Sequence, residues 1–383
     1  MGVADEVKSV LVAGGGIGGL SAAIALSQLG LQVTVAEKSA GGAEGAGITI
    51  QNRGLVVLKS LGVLDECISQ GYVKETGSLF DNFFDSAGNR RPSAPTKATA
   101  GSDTGLPTLV MLYRPRLAEI LMRRATELGA LVRTESEVID VNDLDDCVEV
   151  TFAGGERESF DLVVGADGTN SRIRKKLFGD RIISTYSGNM SLRWVKRGAP
   201  QGQVGFYVGE ASEPVVVHYP EEGLVYVASG IDMENRPVSR EEAVQLFRKV
   251  LRTFPAPFVQ ELADSVEDDD EVIARPYMLH NLPAPWHRGR IVLLGDAVHT
   301  MSAHLASGGV IALEDAQVLA EELAAGGSLE ESLERYGKRR SIRTFFAVDA
   351  CRRMLDLQVN YHAGPAVLSP IRQEALAALS QPF

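Results

Sequence analysis

The chain has 383 residues, 45% of them apolar and 23% charged, more than one hydrophobic core normally serves, so two domains are expected. A net charge of -12 and a pI near 5.1 repel phosphate backbones, and no Lys/Arg-rich block offsets this, which excludes nucleic acid as a partner class. Asp5 and Glu6 stand where a signal peptide needs a basic start, and no apolar run approaches the roughly 18 residues of a membrane span, so a cytoplasmic protein without a membrane partner is expected.

In chain order, Val7 to Ala13 reads as a buried strand, Gly16 to Leu29 as a helix of small and apolar residues, and Gln32 to Glu37 as a second strand. This is the pattern of a βαβ unit and opens a parallel sheet. Cys67, Cys147 and Cys351 are odd in number and scattered, which suits neither a disulfide framework nor a zinc site. Lys97 to Gly105, small and polar, reads as a mobile loop. A helix follows over Pro115 to Leu128, and strands at Glu137 to Val141, Val148 to Phe152 and Phe160 to Gly165 are expected to resume the parallel sheet. From Tyr186 the character changes. Asn189 to Lys196, Gln203 to Gly209, Pro214 to Tyr219 and Leu224 to Ile231 are closely spaced strands with no helix between them, hence an antiparallel sheet and a second domain. After a helix at Arg240 to Leu251, the acidic run Glu267 to Glu271 reads as solvated. Arg290 to Leu294 is again a buried strand, and long helices whose Arg335, Lys338, Arg339, Arg340, Arg343, Arg352 and Arg353 suggest a solvated face complete the chain.

Three motifs carry chemistry. Gly14-Gly15-Gly16-Ile17-Gly18-Gly19 fits Gly-x-Gly-x-x-Gly at a strand-to-helix turn: Gly14 permits the turn, Gly16 lets a pyrophosphate approach, and Gly19 lets helix and strand pack closely. The helix start then offers free N–H groups and a positive dipole end to the anion. Glu37, closing the second strand, is placed to accept from ribose hydroxyls. Asp167-Gly168 follows a buried strand, and Gly295-Asp296 follows another; alone, the first marks a turn and the second a helix cap.

With these motifs in this order, and with Gly45-Ala46-Gly47-Ile48 and Arg114 in Arg-x-x-Leu-x-x-x-Leu, the chain resembles the single-component FAD-dependent aromatic hydroxylases typified by para-hydroxybenzoate hydroxylase. The resemblance implies an α/β fold. A discontinuous Rossmann-like FAD-binding domain (1–75, 106–180 and 272–383, with the C-terminal helices) would carry an inserted, mainly antiparallel β-sheet substrate domain (76–105 and 181–271). It implies FAD as cofactor, with contacts from Gly14, Gly16, Ile17, Gly18, Gly19, Glu37, Lys38, Gly47, Arg114, Val138, Asp167, Gly295, Asp296, Gly308 and Gly309. Arg114 would touch the flavin, Asp167 the pyrophosphate side, and Asp296 the ribityl chain. No second Rossmann unit is visible, so NADH or NADPH would bind transiently, reduce the flavin, and let dioxygen form a C4a-hydroperoxide that hydroxylates a small aromatic or heteroaromatic substrate, phenolic or hydroxypyridine-like. The enzyme would be a monomer or homodimer.

Departures from the family pattern mark the loop after His299, where Met301-Ser302-Ala303-His304 and Ala306-Ser307-Gly308 replace its proline and glutamine. A flavin-binding protein with altered or lost oxygenase chemistry is therefore the alternative. Candidates for the substrate pocket are Arg53, which stands where the family tends to have Asn, and Arg193, His218 and Tyr219 of the antiparallel block. Strand alternation puts these on opposite faces, and which face meets the flavin is left open. A halogenase would need a Trp-x-Trp motif, whereas the two tryptophans are Trp194 and Trp286. A lipid epoxidase would need an apolar C-terminus.

Overall fold

The computed structural model describes residues 6–40, 45–51, 53–92, 105–179, 182, 184–209, 213–361 and 364–383; the Lys97 to Ala100 part of the expected loop, and its continuation to residue 104, lie outside them. Strand Ser9–Ala13 pairs in parallel with Gln32–Ala36 on one side and Leu162–Gly165 on the other. Leu131–Arg133 and Ile291–Leu293 extend this sheet in parallel, and His287–Arg288 closes one edge antiparallel. Val10 to Ala13 and Leu162 to Gly165 are buried throughout, as strands covered on both faces must be. Helix Ile17–Gln28 packs between helices Arg114–Glu127 and Gly308–Ala324.

One expectation is corrected here. Val138–Asp143 and Val148–Phe152 do not resume the parallel sheet but pair antiparallel, with Arg157–Phe160, in a small sheet of their own. Their buried and open positions alternate, which suits a sheet with one solvated face and not the doubly covered parallel one.

The second body is, among the described residues, an eight-stranded sheet ordered His299–Thr300, Val272–Asn281, Thr185–Arg197, Leu224–Asp232, Val215–Glu221, Gly205–Val208, Phe83–Asp85 and Arg90–Arg91. The boundary expected at 271/272 falls just before a strand, Val272–Asn281, that is hydrogen-bonded along Thr185–Arg197. This strand thus belongs to the antiparallel sheet; its Arg275 and Tyr277 break the apolar alternation by which strands are read. Helices Arg240–Arg252 and Pro257–Ser265 cover one face, packing Val244, Phe247, Leu251 and Leu262 with Leu192, Trp194, Val217 and Val225.

Two charged segments differ from expectation. Asp270 of the acidic run accepts from Trp194 Nε1 at 3.0 Å and Lys196 Nζ at 3.2 Å, so the run is tied to the sheet. In helix Leu329–Tyr361, Arg340 is fully buried, with Nε 2.8 Å from Asp315 and a guanidinium nitrogen 3.0 Å from Glu314. Arg343 also grips Glu314, at 2.7 Å. These arginines bury because helix Gly308–Ala324 presents two acids to the same helical face, and pairing offsets desolvation.

Candidate functional site

A cleft of about 1060 Å³ runs between the two bodies, at the carboxyl ends of the parallel strands, where ligands of open α/β sheets bind. At one end lie Gly16 to Gly19, at the start of helix Ile17–Gln28. Gly16 is its N-cap, extended at φ -74°, and no side chain caps the free N–H groups. The backbone turns here because Gly14 sits at φ +115°, where a Cβ would fall 2.3 Å from the Ala166 carbonyl oxygen; one on Gly19 would fall 2.0 Å from that of Gly14. On Gly16 it would meet nothing within 4 Å. Helix Gly308–Ala324 also starts at the cleft, uncapped by a side chain and without acids in its first turn. Two positive dipole ends thus face one cavity.

Arg114, Arg193, Asp296, Tyr226 and Tyr277 line its middle. Arg114 Nε is buried without a partner. Burial lowers the Arg114 pKa; Asp296 opposes this and Arg193 adds to it. For Arg193 burial also acts downward, but Tyr277, Tyr226 and Asp296 outweigh it and leave it raised. The Asp296 carboxylate is exposed, with Thr169 Oγ1 at 3.5 Å as a long contact. It does not cap: the short 3-10 turn Gly295–Ala297 begins at Leu294 without a side-chain cap, and the long helix begins twelve residues on. Behind this turn Asp315 accepts from the Gly295 N–H at 2.9 Å and contacts His299 Nε2 at 2.7 Å, so a buried acid fixes the backbone that presents Asp296.

The sheet side of the cleft is one register row. Ile273, Arg193, Ala228, Val216, Phe206 and Phe83 are successive cross-strand partners, and all six line the cavity. His218 pairs with Tyr226 in the next row, its ring stacked on that of Tyr226 and edge-on to Phe206. Burial, then Lys74, lowers His218 to about 4, so it is neutral at pH 7.

The structure brings together, as cleft-lining residues, Gly16, Ile17, Gly18, Gly19, Gly47, Arg114, Arg193, His218, Gly295, Asp296, Gly308 and Gly309. The remaining sequence candidates lie elsewhere. Tyr219 points to the opposite sheet face, where its hydroxyl donates to the Gly202 carbonyl at 3.0 Å and accepts from the Gly202 N–H at 2.6 Å. Arg53 Nε donates to the Ser380 carbonyl at 2.9 Å, tying the first body to the C-terminal helix. Glu37 stands behind Gly15, taking its N–H at 2.7 Å and the Ser39 N–H at 2.9 Å; burial would raise its pKa, but these bonds and the Ser39 hydroxyl lower it. Asp167 accepts from the Arg172 and Ile173 N–H groups and clamps the turn whose Gly168, Thr169 and Asn170 line the cleft. Gly14 shapes the turn from behind, Lys38 is exposed, and Val138 opens the small antiparallel sheet.

Sequence reasoning missed Phe80, Tyr226, Glu213, Gln358 and Arg372, all of which line the cleft. They come from five separate elements or loops, none of which carries a motif; His304, from the altered loop after His299, joins them there.

The fold and cleft define a dinucleotide-binding flavoprotein, and the residues fit FAD: two uncapped helix starts for the pyrophosphate, open space at Gly16, and an orphan buried guanidinium nitrogen at Arg114. The chain belongs to the FAD-binding-domain family, whose model matches residues 7–350, and it is a flavoprotein monooxygenase. It is 30% identical over 344 residues to a putative FAD-dependent monooxygenase, YetM, of Bacillus subtilis, covering 88% of this chain and 90% of that one. It is 31% identical over 334 residues to the chloroplastic zeaxanthin epoxidase of Solanum lycopersicum, spanning 84% of this chain but 49% of that protein. Among solved structures, HpxO of Klebsiella pneumoniae complexed with FAD and uric acid superposes with a TM-score of 0.79 at 22% identity, covering 97% of each chain. The tetrameric form of 2-methyl-3-hydroxypyridine-5-carboxylic acid oxygenase superposes at 0.75 with 24% identity, covering 99% of each. No helix among the described residues is long and apolar enough to cross a membrane.

If Asp296 holds ribityl hydroxyls, Asp296→Ala is expected to weaken FAD binding about tenfold or more, the worth of a charge-assisted hydrogen bond of about 1.5–3 kcal/mol. Because Asp296 caps nothing, the melting temperature of the apo-protein should barely move. Titrating apo-protein with FAD by flavin fluorescence reads this out, and equal dissociation constants for wild type and variant remove Asp296 from the site.

Proposed function

We propose that this enzyme hydroxylates a small aromatic or heteroaromatic substrate, using NADH or NADPH and dioxygen. The supporting observation is the register row Ile273, Arg193, Ala228, Val216, Phe206 and Phe83, which forms an apolar wall interrupted by one guanidinium, facing the dinucleotide end of the same cleft. Such a chamber excludes water while binding a flat ring and orienting it through few polar groups. Bound FAD supplies the redox and oxygen-activating chemistry. A hydride from NAD(P)H, carrying two electrons, and one proton from solvent reduce dioxygen so that one oxygen atom enters the ring and the other leaves as water. Arg193, held by Tyr277, places a fixed positive charge in the chamber; a ring hydroxyl bound beside it loses its proton more readily, which makes the ring a better nucleophile. His218, neutral at pH 7, is a hydrogen-bonding partner and not a second cation.

The likeness to zeaxanthin epoxidases raises a second reading, oxygen insertion into an apolar alkene. Half-buried Arg193, Glu213 and Arg372 in the cleft favour a polar ring over a hydrocarbon chain, because each polar group would need desolvating against it.

The purified protein should be yellow and release FAD, not FMN. Phenolic acids and hydroxypyridines should be screened for stimulation of NAD(P)H oxidation, with the product expected to be one oxygen heavier by mass. Flavin reduction that no aromatic compound stimulates, alongside turnover of an apolar alkene, would overturn the aromatic reading.

A further inference from the structure

The last helix, Pro365–Ser380, returns to the cleft and delivers one cation to it. Arg372 Nε donates to the His304 backbone carbonyl at 3.1 Å, and its guanidinium carbon stands 4.5 Å from the centre of the Phe80 ring. Around it, Phe80, Phe206, Val216 and Leu368 make this end of the cavity apolar. Burial lowers Arg372 to about 10, opposed only by the Cys351 thiol, so it stays charged at neutral pH.

Its pairing is unlike that of Arg340 and Arg343 on the preceding helix. Arg340 and Arg343 are each bound by Glu314, and Arg340 also by Asp315. No carboxylate among the described residues pairs with Arg372. Of the acids lining the cavity, Glu213 accepts from Asn189 Nδ2 at 3.3 Å. His304 adds no charge: burial depresses it to about 4, and its ring is fixed between Ser302 at 2.7 Å and Gln358 at 2.7 Å. An apolar cavity end whose guanidinium has no carboxylate partner among the described residues is complementary to a flat apolar body bearing one anionic group, since a charged pair with good geometry offsets the desolvation that a lone cation does not.

We propose that Arg372 anchors the anionic group of the substrate, so that the site selects aromatic or heteroaromatic acids over their neutral analogues. This rests on the hydroxylase reading above. Arg372 would hold a carboxylate, or an acidic enolate of the ring, against Phe80 at one end, leaving the opposite end of the ring toward Arg193 and the dinucleotide.

The test uses the FAD-loaded enzyme with 3-hydroxybenzoate and 5-hydroxynicotinate, each compared with its own carboxamide. Perturbation of the flavin absorbance gives dissociation constants, and NAD(P)H oxidation gives stimulation. The wild type should bind each acid about tenfold or more tightly than its amide, as expected of a charge-assisted hydrogen bond. In Arg372→Met that ratio should collapse toward one, whereas Arg372→Lys, which keeps the charge but loses the planar fork, should retain part of it. A helix staple that merely ties Pro365–Ser380 to the loop would lower the melting temperature of Arg372→Met without changing the acid-to-amide ratio, and that result overturns the proposal. Equal affinity for acids and amides in the wild type overturns it as well, as does a panel in which no acid perturbs the flavin. Equal stimulation by acid and amide leaves the hydroxylase reading standing and removes only Arg372. Failure to bind FAD sinks both.

Discussion

Gly16→Val is expected to yield a folded but colourless protein. The three glycines of Gly-x-Gly-x-x-Gly fall into two physical kinds. At Gly14 and Gly19 a Cβ would collide with backbone, 2.3 Å from the Ala166 oxygen and 2.0 Å from the Gly14 oxygen, so substitution there disrupts the turn itself. At Gly16 the backbone is extended at φ -74°, which any residue adopts, and a Cβ meets nothing within 4 Å. The space it enters is the cleft, at the uncapped helix start where a pyrophosphate would approach. The apo-protein should therefore melt near the temperature of wild-type apo-protein, while the ratio of flavin to protein absorbance falls to near zero. Full flavin occupancy in Gly16→Val would show that the phosphate binds elsewhere. A Gly14→Val control should fail differently, by losing the fold.

Arg340→Met should lower stability by about 3–5 kcal/mol, the cost of leaving a buried ionic network without its cation. Arg340 and both acids are at most 1% exposed. Arg343 continues to serve Glu314, but Asp315 keeps only His299 and the Gly295 N–H. Burial would raise the Asp315 pKa, yet His299 and Arg340 lower it below the ordinary value. Its stabilisation is accordingly present above the carboxylate pKa of the unfolded chain and is lost as pH falls through the depressed folded value; part of that acid sensitivity should vanish in Arg340→Met. Because Asp315 fixes the Gly295 N–H, FAD affinity should fall too. Urea denaturation of the FAD-loaded variants measures the first effect and fluorescence titration the second. Arg352→Met, which breaks an exposed i,i+3 pair with Asp349, is the control and should cost less than about 1 kcal/mol. A similar small change in Arg340→Met would mean that the acids it serves are solvated or protonated.

The dinucleotide half of the site was legible in the sequence because its determinants are local. A strand, a glycine turn and a helix start lie within residues 9–28, and a turn that needs φ +115° at Gly14 restricts the residue type wherever the rest of the chain goes. The same holds for Gly295-Asp296, although the reason Asp296 is held in place lies in Asp315, on a different helix. Strand alternation in the antiparallel block was equally readable, placing Arg193, His218 and Tyr219 among the candidates and the adjacent His218 and Tyr219 on opposite faces. Which face meets the cleft was not, since period-2 alternation is symmetric until helices Arg240–Arg252 and Pro257–Ser265 cover one side. That packing turned Tyr219 away and aligned one residue from each of six strands into one wall. The C-terminal arginines show the limit most directly: Arg340, Arg343, Arg352 and Arg372 look alike as residues on helices, but their roles depend on what lies opposite. Two acids of helix Gly308–Ala324 neutralise Arg340 and Arg343, Arg352 makes an exposed pair with Asp349, and Arg372 faces an apolar cavity end with no carboxylate paired to it among the described residues. The charge of a side chain is set by its sequence, whereas its partner and its dielectric surroundings are set by segments elsewhere in the chain, and only the tertiary structure decides those.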